Sequence, residues 1–172
     1  IRNTIEEVIR VRHRRERPVV HIQTLGELRV WIGDELLRHS GWEGNQAKKL
    51  LKALVALAYN RPVHKEYLIE VLWPESSPGA GDKTFKVALH RLRRSLEPDL
   101  STRFGSSYIH LRHGYLSLDS ELCRTDIYRF QLLCRDIMRW VQAGDIKQAA
   151  QALEKADTLY SGDFLPDEAD TS

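Results

Sequence analysis

The spacing of apolar residues changes along this chain of 172 residues, and that change restricts the folds open to it. Between residues 19 and 41, apolar and polar residues alternate in three short β-rich runs, VVHIQTLG, LRVWIG and LLRHSG. Gly26 and the Gly33-Asp34 turn separate the runs. After residue 43 the apolar spacing becomes that of helices. We therefore predict a mixed α+β chain that begins with three antiparallel strands.

Three helical segments follow the predicted strands. The run EGNQAKKLLKALVALAYN places apolar residues at the i, i+3, i+4, i+7 spacing of a helix with one buried side, and Pro62 ends it. The run KEYLIEVLW predicts a second, shorter helix. After a predicted loop, ESSPGAG, a third helix is expected from about Gly81 to Leu96.

Two more patterns complete the order of elements. The run YIHLRHGYLSLD predicts a β-hairpin with polar residues at its tip. Beyond residue 119 the period is helical again. Asp126 is the expected N-cap of one helix, Gly144 ends it, and Asp145 opens a second helix that reaches about Tyr160. The C-terminal part is therefore predicted to be a helical hairpin.

The third helix has two faces of opposite character. Its apolar stripe, at spacings of 4, 3 and 4, consists of Phe85, Leu89, Leu92 and Leu96. The opposite face is formed by Lys83, Val87, His90, Arg91 and Arg94, with Thr84, Lys86 and Arg93 beside it. Between residues 82 and 94 there are five Lys or Arg and one acid. A basic helix of this kind fits the major groove, where Arg donates paired hydrogen bonds to guanine, although an ordinary solvated face is the alternative.

The charge is distributed unevenly between the two parts of the chain. The net charge is +2, but residues 1–119 carry 20 Lys or Arg and 14 Asp or Glu, whereas residues 120–172 carry 6 and 10. A modest basic excess suits a polyanionic partner for the front part only, because phosphate repels an acidic surface. The acidic tail is therefore expected to face protein.

At this point the residues resemble a known family. Residues 25–118 resemble the OmpR/PhoB-type winged helix, and with the tail the chain is similar to the SARP family of bacterial transcriptional activators, in which a helical bacterial transcriptional activation domain follows. The matching residues are Leu25-Gly26, the LLKALVALA helix, Val63 with Leu68, Leu72-Trp73-Pro74, LHRLRRSL from Leu89 to Leu96, Gly114-Tyr115, Asp126, Phe130, Ala156 and the YSGDFLP stretch at 160–166.

The resemblance implies a fold and a division of the chain. The fold is an α+β winged helix-turn-helix, with an N-terminal antiparallel sheet and a C-terminal wing hairpin, followed by a tetratricopeptide-like helical hairpin. Residues 1–18 are a linker or the end of an upstream helix, 19–119 the DNA-binding domain, and 120–172 part of the activation domain. The implied function is sequence-specific binding of double-stranded DNA and activation of transcription. RNA polymerase and an upstream regulatory domain of the same longer chain are the other expected partners.

The resemblance also implies which residues meet DNA. The third helix would lie in the major groove, with Val87 and Arg91 toward the bases. Near phosphates or groove edges would be Lys83, Thr84, His90, Arg93 and Arg94. Hairpin 108–118 would be the wing. The candidate DNA-binding residues are Lys83, Thr84, Lys86, Val87, His90, Arg91, Arg93, Arg94, Arg112, His113 and Tyr115.

The hairpin departs from the family pattern at one position. In many relatives an Arg follows the Gly-Tyr pair and enters the minor groove, but Leu116 stands there in this sequence. Arg112 and His113 are the available substitutes. Trp73 is expected to close the second helix in the core; donation of its indole N–H to a phosphate is the alternative.

Other chemistry finds little support in the sequence. His110 and His113 are three apart, so a strand sends them to opposite faces, and Cys123 and Cys134 are too few for a zinc site and too far apart to be bridged. They are expected to be reduced thiols. Gly-rich phosphate loops, G-x-S-x-G and H-E-x-x-H are absent from the sequence. We expect neither an enzyme nor a bound metal or cofactor.

The sequence also predicts where the protein is located. No apolar run approaches the length of a spanning helix and no signal-peptide core is present, so a cytoplasmic protein without a membrane partner is expected. The chain begins with Ile instead of Met, which suggests a piece of a longer polypeptide. The alternative function is a protein-interaction adaptor, built from a winged helix and a helical hairpin, that binds no specific DNA.

Overall fold

The computed structural model describes residues 7–9, 11–12, 14, 16–58, 61–100 and 105–166. Strands and helices are mixed along the chain, as predicted. The order is β1 (Val20–Gln23), β2 (Arg29–Ile32), β3 (Glu35–Leu36), α1 (Asn45–Ala58), β4 (Val63–His64), α2 (Lys65–Leu72), α3 (Pro78–Leu96), β5 (Ile109–Arg112), β6 (Tyr115–Leu118), β7 (Cys123–Thr125), α4 (Asp126–Gln142) and α5 (Ile146–Leu159).

The chain forms two compact units, each made of two segments. The first unit comprises the described residues of Ile1–Val20 and Ile32–Cys123, and the second those of His21–Trp31 and Arg124–Ser172. The segment around Thr24 thus belongs to the same compact unit as the C-terminal helices α4 and α5. The predicted division of function at residue 120 stays a prediction.

Of the three predicted N-terminal strands, the first two are confirmed and the third is largely wrong. β1 and β2 are four residues each, whereas β3 has only two. A short 3-10 helix at His39–Gly41 takes up the end of the LLRHSG run. The backbone N–H of Gly41 donates to Arg38 O at 2.9 Å, so a local turn replaces strand pairing there.

The core of the first unit is built on the apolar faces of α1 and α3. On α1 the buried residues include Ala47, Leu50, Leu51, Leu54, Val55 and Ala58. On α3 the predicted stripe is confirmed, because Phe85, Leu89, Leu92 and Leu96 are each at most 4% exposed. The two helices pack against each other, and α2 packs against both. The amphipathic spacing of each helix therefore determines which side is covered.

α3 begins three residues before the predicted start. Pro78 follows the N-cap Ser77, so the last four residues of the expected ESSPGAG loop form the first turn of the helix. Proline suits this place because the first N–H groups of a helix have no partner within it and the proline φ is already helical. The predicted loop was wrong for residues 78–80, and Gly81 was the expected start of the helix.

The predicted hairpin is confirmed. β5 and β6 pair antiparallel, with Ile109 opposite Leu118 and Arg112 opposite Tyr115. The turn consists of His113 at φ 51° and Gly114 at φ 82°, and two consecutive positive φ angles are typical of a type I′ turn. β4 pairs antiparallel on the other edge of β6, which gives the sheet order β4-β6-β5.

The second unit is organised around the start of α4. Its N-cap is Thr125, which makes no side-chain capping bond, so the prediction of Asp126 as N-cap was wrong by one position. The Asp126 carboxylate instead accepts hydrogen bonds from Thr24 N, Thr24 Oγ1 and Leu25 N at 2.7–2.8 Å. It also accepts one from the adjacent Ile127 N at 2.7 Å.

The C-terminal end of the second unit is hydrogen-bonded to residues 24–26. Gly26 N donates to Asp163 O at 2.8 Å, and Leu165 N donates to Thr24 O at 2.9 Å. The YSGDFLP stretch thus lies against residues 24–26. The helical hairpin before it matches the prediction, since Gly144 at φ 75° ends α4 and Asp145 caps α5 by accepting from Gln148 N at 3.1 Å.

We predict that Asp126→Ala lowers the free energy of unfolding by about 2–3 kcal/mol, because it leaves the N–H donors of residues 24 and 25 without their charged acceptor. Urea unfolding of the purified protein measures the change. The matched control is Asp136→Ala on the same helix, whose carboxylate pairs at the surface with Arg139 at 3.2 Å. It should change the free energy by less than about 0.5 kcal/mol. Equal effects of the two substitutions would contradict the role assigned to Asp126.

Candidate nucleic-acid interface

α3 presents the predicted basic face to solvent. Lys83, His90 and Arg91 are exposed, and Val87 retains 50% of its surface although its neighbour Ala88 is fully buried. Lys83 and Arg91 form no ion pair with any residue that the structure describes. The structure thus places the central residues of this face together, on the side of α3 opposite its core stripe.

An ion-pair cluster lies at the N-terminal end of this face. Asp82 accepts from Lys65 Nζ at 2.8 Å and from Lys86 Nζ at 2.7 Å. The bonds from Lys65 and then Lys86 lower the pKa of Asp82 to about 2, so this carboxylate is ionised at neutral pH. Lys86 is therefore partly neutralised, while Thr84 uses its hydroxyl within the helix by donating to Ala80 O at 3.0 Å.

Arg93 differs from the other predicted contact residues because it faces the protein. Its Nε and Nη2 donate to Ile109 O at 3.3 and 3.1 Å, which ties α3 to β5. Burial lowers the pKa of Arg93, and the nearby Glu97 carboxylate offsets part of that effect. A contact between Arg93 and DNA stays a prediction, but its Nε and Nη2 donors are already bonded to Ile109 O within the protein.

Arg94 has a partner that the sequence did not indicate. Its Nε lies 2.9 Å from Glu43 Oε1, and both side chains remain partly exposed. Glu43 precedes α1 and is 51 positions away in sequence, so no local pattern signals the pair. Glu43 is thus a second acidic side chain at this basic face, at the end opposite Asp82.

The hairpin tip carries the remaining predicted residues. Arg112 and His113 are exposed, and Tyr115 is half exposed with its ring edge-on to His64 at 5.0 Å between centroids. Leu116 is fully buried and pairs with Val63 across the sheet. Position 116 therefore faces the core of this chain, and an arginine there would be buried instead of reaching a groove.

Two other predicted features have internal partners. Trp73 donates its indole N–H to Gln46 Oε1 at 3.0 Å, which favours the structural interpretation of this residue. His110 Nε2 lies 2.8 Å from Asp119 Oδ2, and Arg14 Nη2 lies 2.6 Å from the same oxygen. Burial raises the pKa of Asp119, but hydrogen bonds from His110, Arg14 and the backbone N–H groups of Leu122 and Glu121 together bring it below its ordinary value.

Within the described residues, no group of three or more His, Cys, Asp or Glu is arranged to hold a metal ion. Cys123 and Cys134 are both free thiols, and burial raises the pKa of Cys123 to about 12. None of the described helices combines the length and the apolar character that crossing a membrane requires.

Comparison with known proteins finds similarity among solved structures and no match by sequence. No family model matches the chain, and no curated protein matches it. Among solved structures, the chain is similar to EmbR of Mycobacterium tuberculosis in complex with a low-affinity phosphopeptide, with a TM-score of 0.65 and 24% identity. The similarity covers 88% of this chain and 38% of EmbR. This chain therefore has the fold of a corresponding part of EmbR.

We predict that Arg93→Ala lowers the free energy of unfolding by about 1–3 kcal/mol, because it leaves the Ile109 carbonyl without its charged donor. Chemical denaturation measures the effect. Arg91→Ala, on the exposed face of the same helix, is the matched control and should stay within about 0.5 kcal/mol of the wild type. An Arg93 variant as stable as the control would show that the bond to β5 does not hold α3 in place.

Proposed function

We propose that this chain binds double-stranded DNA sequence-specifically and activates transcription, as a regulator of the SARP type with an OmpR/PhoB-type winged helix. The observation that carries the proposal is the exposed face of α3, where Lys83, His90, Arg91 and Arg94 project opposite the buried stripe. The similarity in fold to EmbR is compatible with this proposal.

The dimensions of α3 suit the major groove. The face from Lys83 to Arg94 extends about 16 Å along the helix, and a B-DNA major groove is about 12 Å wide. Arg91 and Val87 lie near the middle of the face and would read base edges, the guanidinium by paired hydrogen bonds and the valine by contact with thymine methyl groups. Lys83, His90 and Arg94 would hold phosphates or groove edges.

The other elements receive roles consistent with their surfaces. Hairpin β5–β6 would be the wing, with Arg112 and His113 at the tip in place of the arginine expected at position 116. Thr84, Lys86, Arg93 and Tyr115 would flank these contacts. The α4–α5 pair would be a tetratricopeptide-like beginning of an activation domain that contacts protein, with RNA polymerase as one partner and an upstream regulatory domain as another. We place this protein in the cytoplasm and assign it no enzymatic activity.

The competing proposal is an adaptor that uses the same surfaces to bind protein only. The EmbR structure contains a phosphopeptide, but this chain corresponds to 38% of EmbR, so that ligand is not carried over. The basic face of α3 favours DNA, because a polyanion complements several cations at once. Salt dependence of binding separates the two functions.

We expect the affinity for duplex DNA to fall steeply with salt. Neutralisation of about 5 to 8 phosphates gives a slope of log affinity against log salt of about −4.5 to −7, because each contact releases condensed counterions. Gel-shift titration across a series of salt concentrations measures the slope. A flat response, or no binding at low salt, would favour the adaptor.

Arg91 and Arg94 are expected to behave differently. Arg91→Ala should cost about 1–3 kcal/mol on the preferred duplex and relax the preference at one base position, because a bidentate base contact is lost. Arg94→Ala should weaken binding to all sequences alike, as loss of a phosphate contact does. Selection from random duplexes, followed by affinity measurements, compares the two variants. An unchanged base preference in the Arg91 variant would show that α3 is turned differently in the groove.

A further inference from the structure

Glu43 places a carboxylate beside the C-terminal end of the basic face of α3. Glu43 Oε1 lies 2.9 Å from Arg94 Nε, with the two side chains 40% and 49% exposed. The position of Glu43 is set by its backbone, because Glu43 N donates to Ser95 Oγ at 2.9 Å. Ser95 is itself fully buried. The main chain of Glu43 is therefore anchored to α3, and this keeps its carboxylate near Arg94.

The same anchor brings the segment beside Arg91. Ser95 Oγ donates to Arg91 O at 2.9 Å, which joins the segment to the turn of α3 that carries both arginines. Gly44 follows Glu43 with φ 96°, and a Cβ built on it would lie 3.5 Å from Arg91 Nη1. Glu43 thus stands next to the two residues to which the proposed function assigns a base contact and a phosphate contact.

A negative charge at this place opposes DNA binding in two ways. It repels phosphate directly, and it occupies a donor of Arg94 that phosphate would otherwise use. The other acid of the face, Asp82, pairs with Lys65 and Lys86 at the other end of α3 and not with Arg91 or Arg94. An exposed ion pair adds little stability in water, so a phosphate can displace Glu43 at modest cost.

We propose that Glu43 competes with DNA phosphate for Arg94 and thereby limits the affinity of this chain for duplexes of any sequence. The proposal rests on the DNA-binding function proposed above and adds an inhibitory residue to the same surface. Arg94 contacts phosphate only when Glu43 releases it. Glu43 therefore sets the strength of binding and not the choice of bases.

The experiment compares Glu43→Gln with the wild type on a short random-sequence duplex and on the duplex recovered by selection. Both affinities should rise by a similar factor, up to about fivefold at low salt. The salt slope should stay close to that of the wild type, because Arg94 contacts phosphate in both complexes once Glu43 is displaced. In an Arg94→Ala background the gain from Glu43→Gln should largely disappear, because the competing group is gone.

Glu121→Gln is the matched control. It removes the same charge from an exposed carboxylate that pairs with Arg14 at 3.1 Å and belongs to no proposed contact. It should leave both affinities unchanged. Thermal unfolding of all variants verifies that they are folded, and Glu43→Ala serves as a second substitution at the same position.

The remaining outcomes each overturn the proposal in a distinguishable way. Equal gains from Glu43→Gln and Glu121→Gln, or a gain that persists undiminished without Arg94, would assign the effect to net charge alone. A loss of affinity confined to the selected duplex would make Glu43 an acceptor for a base. Unchanged affinities would remove Glu43 from the interface. Failure of both wild type and Glu43→Gln to bind any duplex would refute the DNA-binding function itself.

Discussion

Burial of the α3 stripe against α1 determines what the rest of the first unit can present to a partner. Phe85, Leu89 and Leu92 lie in the core, and a helix with one face fixed has no freedom to rotate the other. The polar groups of α3 are therefore held in defined directions on a rigid element instead of a loop. Such pre-organisation lowers the entropic cost of binding, because the side chains and not the backbone must be ordered.

The charge on the surface of α3 depends on ion pairs as well as on the excess of basic residues. At one end of α3, Lys65 and Lys86 share Asp82, and at the other end Arg94 meets Glu43. Between them Arg91 has no acidic partner among the described residues. A uniformly basic helix would bind any polyanion strongly, whereas paired charges reduce attraction that carries no sequence information. The contrast between paired ends and an unpaired centre is a property of tertiary structure that the count of charges does not reveal.

Local pattern predicted much of the fold and little of its long-range bonding. The periods of α1 and α3 and the turn at His113-Gly114 are encoded by neighbouring residues, and the structure confirms them. The partners of Asp126 and Arg94 lie 102 and 51 positions away, and spacing rules carry no information about such pairs. Position 116 shows the same limit, because only strand register reveals that its side chain faces the core. The residues proposed to contact DNA were identified by amphipathicity and resemblance.

The attachment of residues 24–26 to the C-terminal segment has a consequence for synthesis of the protein on the ribosome. Thr24 emerges early, but its acceptor Asp126 follows 102 residues later, and Asp163 and Leu165 follow later still. Contacts of such sequence separation close slowly, because loop entropy must be lost before they form. The backbone groups of residues 24–26 therefore lack these partners during synthesis, although all the helices of the first unit precede Asp126 in the sequence. The second unit can form only after residues 163–165 have been synthesised, so a shorter translation product would leave the backbone groups of residues 24–26 without these partners.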